Sequence, residues 1–136
     1  MEAIPESHLD LLTGPYFASF TTIAPDGGPE NTIVWTLSDG EHVYIGTAKG
    51  RRKETNLREN KNVALMVLDP QNPYRWIDVR GTADVAADEG YKTIDALAKL
   101  YTGADHFYGG VAPAEDEGTQ DRVVIRITPD RVVTSP

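Results

Sequence analysis

The sequence predicts a mainly β fold, a closed β-barrel of six or seven short antiparallel strands with few helices. Two features of the chain support this class: short runs of aromatic and β-branched residues recur along it, and glycine-bearing turns separate these runs. A closed barrel also leaves no sheet edge exposed to other chains. With 136 residues and no repeat or change of composition, the chain is expected to form one domain over 1–136.

Three strands are expected in the first third of the chain, arranged as an antiparallel meander. The first is PYFASFTTIA at 15–24, which is followed by the turn PDGGP. The second is NTIVWTL at 31–37, and the third is EHVYIGT at 41–47, where apolar residues alternate with others. Glycine in both connecting turns favours tight hairpins.

The remaining strands lie in the second half of the chain. NVALMVLD at 62–69 is a nearly continuous apolar run, which is typical of a strand buried on both faces. After the turn PQNP, YRWIDVRGTADV at 74–85 is expected to continue the sheet. DRVVIRIT at 121–128 alternates cleanly, and RVVTS is expected to extend the sheet after Pro129.

Three helices are predicted between these strands. Ser7 is expected to cap a short helix that runs through Leu12, and 50–59 forms a second helix between two strands. The third helix, at 88–103, has the clearest pattern. Its apolar positions follow helical spacing and a glycine stops it: Ile94, Leu97, Ala98, Tyr101 and Gly103. The glycine-rich and acidic segment 103–120 is expected to be a loop, either a mobile lid or a solvated connection.

Composition excludes several classes of protein. The chain has 21 acidic and 13 basic residues, a net charge of -8, and no cysteine. This balance argues against nucleic acid as a partner, and no apolar run is long enough to cross a membrane. No secretion signal is recognisable, so a cytoplasmic protein is expected. The histidines lack metal-ligand spacing, so no metal site is expected: His8, His42 and His106.

One basic segment, GTAKGRRKETNL at 46–57, stands out in this acidic chain. Four basic residues share it: Lys49, Arg51, Arg52 and Lys53. A helix N-terminus already carries partial positive charge, so basic residues there are stabilised when an anion such as phosphate binds. Gly50 allows close backbone approach, and Thr47 offers a hydroxyl. A solvated basic face is the alternative, but the position at a strand-to-helix junction favours phosphate binding. The Walker and Rossmann glycine motifs are absent.

GRRKETNLREN, preceded by VYIGT and followed by DPQNPYRWIDVRG, resembles the pyridoxamine 5'-phosphate oxidase-like family. More narrowly, it is similar to the flavin/deazaflavin oxidoreductases of group B, which bind the 5-deazaflavin coenzyme F-420. The resemblance runs from Tyr16 to Val133. It implies a split β-barrel that forms a homodimer, with two cofactor sites at the subunit interface. The substrate-binding arginine and histidine near the C-terminus of true pyridoxamine-phosphate oxidases have no counterpart here, which argues against vitamin B6 oxidation.

The resemblance also implies which residues bind the cofactor. Arg52 and Lys53 match the Arg-Lys pair that holds the phosphate, and Thr47 matches a hydroxyl residue that precedes it. The segment 31–36 matches the strand that edges the ring, and 74–77 matches a segment that reaches the cofactor from a neighbouring strand or subunit. The full expected set is Asn31, Thr32, Val34, Trp35, Thr47, Lys49, Arg51, Arg52, Lys53, Asn56, Tyr74, Arg75, Trp76 and Ile77.

Several of these residues also have structural interpretations. Trp35 and Trp76 either border the ring or fill the core or dimer interface. Asn56 either braces its loop or touches the cofactor. Arg122 and Arg126, one face of the last strand, are expected to be solvated.

No nucleophile–base pair is evident, and no catalytic residue is assigned. This fits a cofactor that transfers a hydride to an electron-poor double bond of a small organic substrate. Lys49 and Arg51 would suit the anionic glutamate tail of F-420, which FMN lacks. Two alternatives remain open: an FMN-dependent oxidase or reductase on the same fold, and a non-enzymatic carrier of the cofactor.

Overall fold

Seven antiparallel strands form one curled sheet in the computed structural model, which describes all 136 residues. The strands are β1 Ala18–Ile23, β2 Pro29–Val34, β3 Leu37–Ser38, β4 Val43–Ala48, β5 Asn62–Asp69, β6 Asn72–Ala87 and β7 Arg122–Ser135. Their order across the sheet is β2-β1-β5-β6-β7-β4-β3. The predicted mainly β class and strand number are therefore confirmed.

The two edges of the sheet are joined by a very short piece of chain. β2 and β3 are at opposite edges, yet only Trp35 and Thr36 separate them. Because each residue spans at most about 3.6 Å, the two edges must come close together and the sheet must curl. The predicted meander was wrong on this point: the strand expected at 31–37 is broken, with its first part paired to β1 and its end paired to β4. At the break, the backbone N–H of Thr36 donates to the hydroxyl of Tyr101 (2.9 Å).

Strand β5 buries one face only, which corrects the expectation of a strand buried on both. Val63, Leu65 and Val67 point into the core, whereas Met66 is 39% and Leu68 46% exposed. The physical reason is that no helix or second sheet of this chain covers the outer face of β5. The apolar run therefore divides into a core face and an exposed apolar face.

The last two strands form the longest ladder. β6 pairs with both β5 and β7, and its register with β7 shifts at Gly81. A Cβ at Gly81 would lie 2.0 Å from the carbonyl oxygen of Thr128, so only glycine fits here. Pro129, which has no N–H to donate, lies opposite this bulge. β7 continues past Pro129 to Ser135, as the sequence predicts.

The helices are α1 Asp10–Thr13, α2 Arg52–Glu59 and α3 Lys92–Thr102. Ser7 does not cap the first helix, contrary to prediction: a 3₁₀ turn at Glu6–His8 precedes α1, and the Ser7 hydroxyl bonds to Nδ1 of His8 (2.8 Å). α3 begins after the predicted start, because a 3₁₀ turn at Glu89–Tyr91 intervenes. The Asp88 carboxylate then accepts hydrogen bonds from the backbone N–H groups of Thr93 and Ile94 in the first turn of α3.

The core fills the inside of the curl. Its largest fully buried side chains are Phe20, Leu11, Leu12, Ile45, Leu65, Ile77, Ile125 and Ile127. α3 packs on β4 and buries Ile94, Leu97 and Ala98, the apolar face that the helical spacing predicts. The segment 103–120 is a loop with one 3₁₀ turn at Ala114–Asp116. None of the helices has the length and apolar character needed to cross a membrane.

Candidate functional site

A pocket of about 270 Å³ lies where the break between β2 and β3 faces β4, the start of α2 and α3. Its position follows from the curl of the sheet, which brings the β2 edge next to β4. The lining residues are Phe17, Ile33, Val34, Trp35, Gly46, Thr47, Arg51, Lys53, Ile94, Leu97, Phe107 and Arg122. Thus one wall is basic and the others are mostly apolar.

The basic wall is formed at the N-terminus of α2. Arg51 is the N-cap residue, with extended backbone, and Lys53 is in the first turn. Gly50 before them has φ +93°, a conformation that favours glycine. The one carboxylate in the segment, Glu54, is occupied elsewhere: it accepts from the Gly50 N–H (2.7 Å) and binds Arg58 (2.6 Å). It therefore leaves the charges of Arg51 and Lys53 without an acidic partner.

A third cation, Arg122, reaches the pocket from the first position of β7. It is only 8% exposed, and its Nε is enclosed without a hydrogen-bond acceptor. Burial lowers the pKa of Arg122, with the charge of Arg51 adding to this effect and Tyr108 and Asp88 opposing it. Burial also lowers the pKa of Lys53, with Arg51 again contributing. These shifts mark a site where positive charge is concentrated, so that binding an anion would stabilise it.

Ion pairing elsewhere in the chain sharpens this contrast. Most other basic side chains lie within ion-pair distance of a carboxylate: Arg52, Arg58, Lys61, Arg75, Arg80, Lys99 and Arg126. Six basic side chains do not, although the chain has an acidic excess of eight, and three of these six line this pocket together: Arg51, Lys53 and Arg122. The pocket is therefore suited to an anionic group.

The aromatic wall is held by Tyr101 of α3. Trp35 stacks on Tyr101, with ring centroids 5.1 Å apart and planes 12° apart. The Tyr101 hydroxyl donates to the carbonyl oxygen of Tyr16 (2.6 Å) and accepts from the Thr36 N–H (2.9 Å). Trp35 thus has a fixed place beside the pocket, where a flat ring system could contact it.

Of the residues predicted from the sequence, the structure brings five to this pocket: Val34, Trp35, Thr47, Arg51 and Lys53. Three others are engaged elsewhere in the chain. Arg52 forms a two-pronged ion pair with Glu30, with its closest contact at 2.6 Å. Asn56 is buried, and its amide donates to the Thr22 hydroxyl (3.0 Å) and to Glu30 (2.7 Å), which is the bracing role that the sequence left open. Arg75 pairs with Asp10 and Asp69.

The other predicted residues lie outside the pocket. Asn31 and Thr32 are exposed on the edge strand β2, and Lys49 borders a neighbouring cavity. On β6, Tyr74 is 82% exposed, Trp76 is half-buried and Ile77 is fully buried in the core. Contact between a cofactor and these β6 residues stays a prediction, and within one subunit the pocket does not include them.

Sequence reasoning covered Ile33 only as part of the segment 31–36, and it missed six other lining residues as site residues: Phe17, Gly46, Ile94, Leu97, Phe107 and Arg122. The most consequential is Arg122, which was wrongly expected to be solvated, whereas Arg126 is half-exposed beside Asp84 as expected for that face. No sequence signal separates the two arginines, because the loop that covers Arg122 is irregular. No cluster of His, Cys, Asp or Glu side chains forms a metal site.

Comparisons with known proteins agree with this architecture. The family model described as pyridoxamine 5'-phosphate oxidase matches residues 4–135. No curated protein sequence matches the chain significantly. Among solved structures, an F420 reductase is 32% identical, with a TM-score of 0.82 and coverage of 96% of this chain and 98% of its own.

More distant structures share the fold alone. The conserved protein Rv2991 of Mycobacterium tuberculosis is 23% identical, with a TM-score of 0.73 and coverage of 97% and 84% of the two chains. General stress protein 26 of Bacillus anthracis is 19% identical, with a TM-score of 0.69 and coverage of 96% and 93%. The chain therefore belongs to the pyridoxamine 5'-phosphate oxidase family, and its curled sheet is the split β-barrel of that family.

Proposed function

We propose that the protein is an oxidoreductase that uses the 5-deazaflavin coenzyme F-420 to reduce an electron-poor double bond of a small organic substrate. The observation that carries this proposal is the pocket beside Trp35, whose basic wall at the start of α2 holds Arg51 and Lys53 without a carboxylate partner. The 32% identity to an F420 reductase over nearly the whole chain supports the deazaflavin coenzyme as the cofactor.

The residues of the pocket fit the phosphate of such a cofactor. Lys53 and the first-turn N–H groups of α2 would hold the phosphate oxygens, and the Thr47 hydroxyl lines the same space. Arg51 and Lys49, which precede the helix, are assigned to the anionic tail of glutamates. The cost of burying Lys53 as a cation would be offset once the phosphate is bound.

The ring is assigned to the apolar side of the pocket. Trp35 and Val34 line it, and β2 is an edge strand whose outward backbone groups have no strand partner. A bound, reduced deazaflavin would supply the hydride. The protein's own residues would bind the anion, orient the ring through Trp35 and keep water away with apolar side chains.

A second copy of the chain is part of this proposal. The pocket, at about 270 Å³, is small for a cofactor with a ring system and a long tail, since ligand sites span roughly 300–1,000 Å³. Phe17 and Ile33 line it and are also 65% and 69% exposed, so a partner subunit could extend its walls. We assign Tyr74, Arg75 and Trp76 to the subunit contact near the site.

Parallel calorimetric titrations with F-420 and with FMN test the proposal. We expect F-420 to bind at least about tenfold more tightly, because only F-420 has an anionic tail for the free basic side chains. Its affinity should fall as ionic strength rises. Tighter binding of FMN, or no binding of either cofactor, would contradict the proposal. Binding without oxidation of reduced F-420 by any unsaturated acceptor would identify a carrier instead of an enzyme.

A further inference from the structure

We propose that Arg122 makes the site selective for an acceptor substrate with a carboxylate group, an inference that rests on the proposed oxidoreductase function. Arg122 is the one cation of the pocket outside the basic segment, since it comes from β7. Its role is therefore separable from that of the residues assigned to the cofactor.

The side chain of Arg122 is buried and has no ion-pair partner, although the Tyr108 hydroxyl and the charge of Asp88 lie near enough to act on it. It is 8% exposed, no carboxylate lies within ion-pair distance, and no acceptor reaches the enclosed Nε. A desolvated cation without a carboxylate in ion-pair contact destabilises a fold unless a bound anion compensates. Arginine pairs its planar fork with both oxygens of a carboxylate, which suits this residue to the task.

The surroundings of Arg122 hold the fork in place. Its guanidinium carbon lies 5.1 Å from the centre of the Phe107 ring, a cation–π contact. A terminal nitrogen of Arg122 also lies near Gly46 on β4, 3.5 Å from where an added Cβ would be, and Leu97 lies 3.3 Å from the same point. The guanidinium therefore contacts the Phe107 ring and lies close to the backbone of β4 at Gly46.

The neighbouring side chains indicate the chemical class of the ligand. Ile94, Leu97 and Phe107 line the same pocket and are apolar. An apolar surface with one fixed, unpaired fork fits an organic acid, in which the hydrocarbon part contacts the apolar residues and the carboxylate contacts the arginine. The reactive double bond of such an acid would then lie at a defined distance from the carboxylate that Arg122 binds.

The test compares two probes that differ in charge and little in shape, trans-cinnamate and trans-cinnamamide. Calorimetry with the F-420-loaded protein, and separately with cofactor-free protein, gives the affinity ratio of the two probes. We expect the wild type to prefer the acid by about tenfold or more, the size of one charge-assisted contact. The absence of such a preference would overturn the inference.

Three variants assign the preference to the residue. Arg122→Gln should abolish the preference for the acid. Arg122→Lys keeps the charge but loses the planar guanidinium, so it should give an intermediate affinity ratio. This second variant replaces the first if Arg122→Gln does not fold. Arg126→Gln, on the same strand beside Asp84, is the matched control and should keep the wild-type ratio. F-420 affinity should change by less than about threefold in all three.

The outcomes separate this inference from the proposed function. If Arg122→Gln weakens F-420 binding and leaves the cinnamate ratio unchanged, Arg122 belongs to the cofactor site and the inference is overturned while the proposed function stands. If the wild type fails to bind F-420, the proposed function fails. In that case the affinity ratio of cinnamate to cinnamamide is compared in the cofactor-free wild type and Arg122→Gln variant. If the two proteins give the same ratio, the inference is overturned as well. If the ratio falls in the variant, the result supports the acid site alone.

Discussion

Adjacent residues with the same charge have opposite environments at the start of α2. Arg52 lies on the surface, and its pairing with Glu30 raises its pKa. Lys53 is half-buried in the pocket, where burial lowers its pKa. The sequence shows the basic segment clearly but does not show which member is free, because the partner Glu30 comes from β2, a distant part of the chain.

This contrast leads to a prediction for two single substitutions. Lys53→Ala should weaken F-420 binding roughly ten- to a hundredfold, since it removes a charge-assisted contact to the phosphate. The thermal stability of the cofactor-free variant should not fall, because a buried cation at a helix N-terminus is unfavourable without its anion. Arg52→Ala, the adjacent control, should bind F-420 within a few-fold of the wild type. Calorimetric titrations and thermal melts measure both; equal losses in the two variants would contradict the assignment.

The same limit explains why Arg122 escapes sequence analysis. Arg122 and Arg126 occupy the same face of the predicted last strand, and the sequence pattern predicts that both side chains are exposed to solvent. The difference arises from Phe107 in the loop 103–120, which has no periodicity that places it over one arginine and not the other. By contrast, Thr47, Arg51 and Lys53 were predictable because a strand, a glycine and a helix start fix their geometry locally.

At the scale of elements, α3 anchors the loop that reaches the pocket. The Asp95 carboxylate accepts from the backbone N–H of Phe107 (2.8 Å) and lies 3.1 Å from Nδ1 of His106. The sequence left the loop as either a lid or a connection, and the structure shows it tied to α3 with Phe107 lining the pocket. The apolar face of α3 was predictable from its spacing, whereas this tie was not, because it depends on an irregular backbone.

The His106–Asp95 pair gives this element a pH dependence. The hydrogen bond to Asp95, and then its charge, raise the pKa of His106 above its ordinary value of 6.5. The stabilisation is therefore complete below pH 6.5 and is lost as the pH rises through the raised pKa. Wild type should melt higher than His106→Gln in mildly acidic buffer, and the difference should shrink in alkaline buffer. A difference that stays constant with pH would contradict a role for the charged pair.

The whole molecule depends on how the sheet closes, and this was only partly predictable. Strand number and class follow from short alternating runs, which the sequence states directly. The break at Trp35 and Thr36 could not be predicted in this way, because NTIVWTL has the pattern of one continuous strand. At the break, the Thr36 N–H donates to the hydroxyl of Tyr101, which is distant in the sequence, instead of to a neighbouring strand. The apolar run in β5 is equally ambiguous, since an exposed apolar face and a buried one have the same composition.

That exposed face carries the final prediction, for the assembly. Ile33 on β2 and Met66 on β5 both lie opposite Ser19 on β1, so they share a row across the outer face. Leu68, 46% exposed, extends the patch. An apolar surface of this kind next to a binding pocket indicates a subunit contact. Light scattering should therefore give a mass of twice 14.9 kDa.

A charged residue within the patch should break both the contact and the site. Leu68→Glu is expected to shift the protein to monomers and to weaken F-420 binding, because burying an unpaired carboxylate at an apolar contact is costly. Val111→Glu, at 42% exposure in the loop and outside the strands, is the matched control and should remain dimeric. A wild type that is monomeric at micromolar concentration would rule out the shared site. A Leu68→Glu monomer that binds F-420 as tightly as the wild type would show that one subunit holds the whole cofactor site.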